Sequence, residues 1–181
     1  MRRIILVTIF LFCNSALLFS QQNKLDSLRK EISKASEDTN KVKLYLLAGR
    51  EVIYQDPNKA LIFYFAGARL SEKINDELGA GLSFLSIGHT YSFLSKTDSS
   101  LIFMDTALVY LRKINATAYL GNLFGNRADT YVQISDFKKA LQDCDTATKY
   151  IEQGDNKAQL AFIYNIRADI YWHLKQYHLS I

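Results

Sequence analysis

Apolar and small residues return along this chain at an interval of forty residues. With the sequence laid against itself at that offset, Ala48, Gly88, Ala128 and Ala168 share one phase. Leu44, Phe84, Phe124 and Tyr164 stand four residues before them, Glu51, Tyr91, Tyr131 and Tyr171 three after, and Tyr54, Leu94, Ile134 and Leu174 six after. Steps of three and four residues trace one stripe of a helix turning once every 3.6 residues, so each unit is predicted to open with an amphipathic helix. The second half repeats too. Ala60-Leu61, Ser100-Leu101, Ala140-Leu141 and Ser180-Ile181 are in phase, followed by Tyr64, Met104 and Cys144, then Gly67, Ala107 and Ala147. A second helix is predicted there.

Polar residues punctuate the two halves. Gln55-Asp56-Pro57-Asn58, Ser95-Lys96-Thr97-Asp98, Ser135-Asp136 and Lys175-Gln176 suit a tight turn and the cap of the next helix. Ile74-Asn75-Asp76, Ile114-Asn115 and Gly154-Asp155-Asn156 separate one unit from the next. The reading is an all-α solenoid of antiparallel helix pairs, with units at 41–80, 81–120, 121–160 and an incomplete 161–181. Ahead of it, residues 21–40 hold a linker and a stripe of Leu25, Leu28, Ile32 and Ala35 that predicts a short capping helix.

A small residue lets the second helix approach closely, and an aromatic one turn later fills the wedge between neighbouring pairs. This pattern, at Gly88-His89-Thr90-Tyr91, Ala128-Asp129-Thr130-Tyr131 and Ala168-Asp169-Ile170-Tyr171, together with Asp136-Phe137-Lys138-Lys139-Ala140-Leu141 and Ala147, resembles the tetratricopeptide repeat (TPR). The likeness covers residues 41–181 and implies a right-handed superhelix that binds protein or peptide. The period of forty departs from the family norm of about 34 and requires longer helices, as in the long repeats of bacterial sensor and regulator proteins. Glu51 and Gly67 mark the first unit as degenerate, as terminal repeats often are.

The two ends add further expectations. Met1, Arg2 and Arg3 precede the apolar run Ile4 to Phe19, which reads as a secretory signal over 1–20. Sixteen such residues, broken by Asn14 and Ser15, are short against the roughly 20 that span a bilayer, which favours cleavage near Ser20 over retention as an anchor. Phe12 before Cys13 speaks against a lipoprotein signal. The protein is therefore expected to be exported, touching a membrane through an uncleaved leader or a missing C-terminal span alone. At the other end the fourth unit stops as its second helix begins, and Phe162, Ile163, Ile166, Ile170, Tyr171 and Leu174 are expected to want a cover. A longer parent protein, or a second chain, would supply it.

Composition narrows the function. Apolar residues make up 49% and charged residues 22% of 181, with a single proline, which fits a folded chain. Without the leader's two arginines the balance is 20 basic to 18 acidic residues, and no basic cluster remains to track a phosphate backbone, so nucleic acid is not an expected partner. Cys144 becomes the lone cysteine, expected to pack as a small apolar residue, with Asp143 and Asp145 on a solvated face around it. No catalytic set, cofactor motif or metal-ligand spacing occurs; His173 and His178 are about 140° apart on a helix. The 11 tyrosines and 11 phenylalanines are expected mostly in the core. Arg127 and Arg167, one period apart, are expected to pair with carboxylates of adjoining helices.

In stacked helix pairs the first helix of each unit lines a concave groove. The positions one and five residues after the small residue are His89 and Phe93, Asp129 and Gln133, Asp169 and His173; those two and three before it include Leu85, Asn126 and Asn165. These nine are the candidate partner contacts. Lysines that clamp a carboxylate are missing at the matching places, while Asp129 and Asp169 favour a neutral or basic ligand. The functional expectation is an exported TPR scaffold binding protein or peptide. The alternative is the extracytoplasmic sensor portion of a membrane signalling protein, a histidine kinase or helix-turn-helix regulator.

Overall fold

A computed structural model describes residues 23–154 and 156–179, and among them the chain forms eight helices and no strand. They are α1 (residues 23–34), α2 (Thr39–Val52), α3 (Pro57–Ile74), α4 (Glu77–Phe93), α5 (Thr97–Lys113), α6 (Thr117–Gln133), α7 (Phe137–Glu152) and α8 (Lys157–Leu179). The expected leader and the Ser180-Ile181 phase lie outside the described residues.

The turns recur every twenty residues. Asn75, Ser95, Asn115 and Ser135 all adopt the left-handed conformation, with φ of 57°, 56°, 53° and 58°. Around each, two backbone bonds close the preceding helix: Asn75 N–H to Glu72 O with Asp76 N–H to Ser71 O, and Ser135 N–H to Val132 O with Asp136 N–H to Tyr131 O. That is the Schellman arrangement, which satisfies carbonyls the helix end leaves unpaired. The next residue then caps the following helix. Asp76 and Asp136 accept from the backbone N–H of Gly79 and Lys139, at 2.9 and 3.2 Å, and Asp56 does the same for Lys59 at 3.0 Å before Pro57 at the first helical position. Lys96 and Ala116 occupy the equivalent place without a side-chain cap. No turn forms at Lys175-Gln176: α8 runs through as one helix. Lys175 stands where Ser95 and Ser135 turn, and lysine is a good helix former with no short polar side chain to support a left-handed residue.

From α2 onward each helix packs on its neighbour in sequence, most extensively α4 on α5 and α6 on α7. The even-numbered helices also approach one another directly, α2 to α4, α4 to α6 and α6 to α8, whereas the backbones of α3, α5 and α7 stay apart. The stack therefore curves with the even helices inside. Small residues set the close approaches, as at Gly88, where an added Cβ would lie 2.7 Å from Met104 Cγ and 3.1 Å from the Ser100 carbonyl oxygen. Two apolar clusters follow in series. One joins Leu25, Leu28 and Ile32 of α1 to Ala48, Val52, Ala60 and Tyr64; the other joins Leu111, Leu123 and Phe124 to Ala140, Cys144, Ile151, Ile163 and Ile170.

Ion pairs recur with the units. Lys73 meets Glu37, and one period on Lys113 meets Glu77. Arg167 bonds Asp145 of α7 at 2.5 Å, matching Arg127 with Asp105 of α5 at 2.6 Å. Arg127 in addition grips Asp143 with two bonds of 2.7 and 2.9 Å. Asp143 is thus no part of a solvated face: it is buried, 6% exposed, because the neighbouring guanidinium supplies the hydrogen bonds that water would otherwise make. Cys144 is fully buried, and burial pushes its thiol up to about 11.

Candidate partner-binding groove

The inner surface of α4 and α6 is where the curvature gathers side chains. The residue after each small position, His89 and Asp129, points from the even helices into a cavity of about 630 Å³. Phe93 and Gln133, one turn further on, line it together with Ser92, Ser95, Thr97 and Ile134. A second cavity of about 400 Å³ adjoins it and shares His89. Leu85 and Asn126 line that one, with Arg50, Tyr54, Tyr119 and Asn122 around them. Six of the nine candidate contacts, from two units, are thereby brought into one trough: Leu85, His89, Phe93, Asn126, Asp129 and Gln133.

The other three lie on α8 and line neither cavity. Asn165 and Asp169 are exposed. His173 stacks on Phe137 with ring centroids 5.6 Å apart and sits 3.5 Å from Asp169. Leu85 departs from the expected open stripe: it is 5% exposed and forms floor, not rim. The position three before the small residue faces the neighbouring helix, which at its equivalent Gly125 comes so near that a Cβ would lie 2.8 Å from Ile163 Cδ1.

A polar chain, buried at Ser92, Thr130 and Ser100, holds the floor of the larger cavity. Gln133 Nε2 donates to Ser92 Oγ at 2.8 Å and to Asp129 Oδ2 at 3.3 Å. The Thr130 hydroxyl lies 3.0 Å from Ser92 Oγ and 3.2 Å from Ser100 Oγ on α5. This ties the groove's polar side chains to the helix pair behind them, fixing their rotamers before any partner arrives. Burial raises the Asp129 carboxyl above the ordinary carboxylate value, opposed by the Gln133 hydrogen bond and reinforced by the charge of Asp169. Burial lowers His89, which Asp129 opposes. Near neutral pH the trough thus holds an uncharged imidazole beside a carboxylate that, among the described residues, has no cationic partner within bonding distance, apolar at the Tyr54 and Phe93 side and acidic toward Asp169.

Sequence spacing missed the aromatic wall. Tyr54 and Ile134 belong by phase to the packed stripe, yet both are exposed, and the Tyr54 ring stands edge-on to Phe93 at 5.9 Å. They lie past the helix ends, where the chain has left the helical path that the spacing assumes. Tyr119, Tyr164 and Tyr171 are exposed as well, so the aromatic residues are shared between core and surface. Among the described residues, no helix is long and apolar enough to cross a membrane. Compared with models of known protein families the sequence matches none, and no curated protein matches it.

Proposed function

We propose that the chain is an exported module of the TPR type that holds an extended peptide or protein segment of neutral or basic character in its concave groove, acting as a scaffold. The observation that carries this reading is the pair of adjoining cavities sharing His89, which together cross three units, from Arg50 of α2 along the inner faces of α4 and α6. A trough so long and open suits an extended segment, with Tyr54 and Phe93 for its apolar side chains and Asp129 for a cation. The TPR assignment rests on the small-x-x-Tyr register and on helix pairs that repeat every forty residues.

The test is an array of 15-residue peptides, varied in charge and aromatic content, probed with the labelled protein. Lysine- and arginine-containing peptides should be retained, and Asp129→Lys should weaken them at least tenfold while leaving the helical circular dichroism intact. Retention unaffected by Asp129→Lys and by Phe93→Ala would place binding elsewhere and remove the proposal.

A further inference from the structure

The trough carries opposite charges at its two ends. Arg50 on α2 lines the smaller cavity, and Asp129 on α6 lines the larger. Asp129 accepts from the Gln133 amide at 3.3 Å, and Arg50 is exposed, with no hydrogen bond or ion pair among the described residues. Arg29, Arg127 and Arg167, by contrast, each meet an aspartate. Arg50 and Asp129 are also kept from pairing with each other. The backbones of α2 and α6 both touch α4 and not one another, and His89 of α4 stands at the joint of the two cavities. Between the charges the wall is apolar: Tyr54 lines one cavity, Phe93 the other, and their rings meet edge-on across the joint.

Helix spacing sets what can bridge these groups. Two packing steps of about 8–10 Å each separate α2 from α6. An extended chain advances about 3.3 Å per residue and turns alternate side chains to one face. Side chains that reach Arg50 and Asp129 from the same face are therefore four or six residues apart, about 13 or 20 Å, and a side chain between them on that face meets Tyr54 and Phe93. The trough lies within the stack, between α1 and α8, and not at its α8 end. There the expected bare stripe is itself corrected, since Ile163, Ile166 and Ile170 are covered by the preceding helices. Residues 1–22 contain no acidic residue and so offer Arg50 no carboxylate.

Resting on the groove reading above, we propose that the segment held there is bipolar: a stretch of a partner chain that sets a carboxylate on Arg50, an apolar side chain against Tyr54 and Phe93, and a lysine or arginine on Asp129, its two charges four or six residues apart. Exposed ion pairs contribute little affinity each, so the charges act mainly as selectors. They fix the segment's register, and a uniformly basic or uniformly acidic segment meets its like charge at one end.

The test is selection on the immobilised whole chain from a displayed library of peptides with seven randomised positions between serine-glycine flanks. Enriched sequences should pair Asp or Glu with Lys or Arg four or six positions apart, with an apolar residue between them. Arg50→Gln should erase the acidic preference and keep the basic one, and Asp129→Asn should do the reverse. Each should weaken an enriched peptide by about fivefold at low salt, with unchanged circular dichroism certifying the fold. Enrichment of basic peptides without an acidic residue, or an acidic preference that survives Arg50→Gln, would overturn the bipolar segment and leave the groove as a site for basic peptides. A library that enriches nothing, or a basic preference indifferent to Asp129→Asn, would overturn both readings.

Discussion

Replacing Asp143 by Asn probes the link between the third unit's two helices. Asp143 accepts two charge-assisted bonds from Arg127 while almost wholly shut off from water. Removing one member of a buried pair typically costs about 3–5 kcal/mol because a charge is left uncompensated. Here Arg127 keeps Asp105 at 2.6 Å and its side chain is 15% exposed, which lowers the expected loss to about 2 kcal/mol. Asp105→Asn is the internal control: its side chain is 63% exposed, and a pair so open contributes under about 1 kcal/mol. In urea, followed by circular dichroism, a loss of about 2 kcal/mol moves the midpoint by roughly 1 M for a slope near 2 kcal/mol/M. The double variant Arg127→Met with Asp143→Leu, which removes both charges, should recover to within about 1 kcal/mol of the parent. If Asp143→Asn proves no worse than Asp105→Asn, the idea that burial of this carboxylate decides its weight is wrong.

Other expectations come from the turns, the close approaches and the groove. Gly88→Ala should destabilise by about 1–3 kcal/mol, since the added methyl meets the α5 backbone at Ser100 as well as Met104; a thermal midpoint unchanged within a degree would refute the closeness of that contact. Lys96→Asp should stabilise by about 1 kcal/mol by giving α5 the cap that Asp76 and Asp136 give their helices, read as a rise in urea midpoint. His89 should titrate by NMR below its ordinary 6.5. The unfolded chain then takes the proton first, so the stability tied to neutral His89 is complete above about pH 6.5 and is lost as pH falls through the folded value; His89→Gln should flatten that part of the stability curve.

The helix pairs were legible because the small residue keeps one register through four units and the aromatic one through three, and burial imposes a helical period wherever it acts on one face. Arg127 and Arg167 were legible for the same reason, since a charge repeated on a packed face must find carboxylates nearby. What escaped was whatever depends on one residue's neighbours across space. Asp143 differs from its phase-mate Phe103, so no periodicity announced it as the partner of Arg127. Leu85 looked open by phase, and only the nearness of the adjoining unit buries it. Serine is a weak signal for a left-handed turn, yet Ser95 and Ser135 adopt one, while Lys175 at the same phase continues the helix. Of the groove, spacing supplied the residues of α4 and α6 that meet there and missed the wall contributed by Tyr54, beyond the end of α2.

The even-helix contacts carry a consequence for how the chain folds. From α2 to α8, a helix touches its neighbour or the next but one, so the most distant partners are about one period apart in sequence. Closing loops of that length adds little entropy, as each doubling costs only about 0.6 kcal/mol, and contact order stays low. Folding can start in either apolar cluster and spread by accretion, and a block at one joint leaves the pairs on the far side free to form.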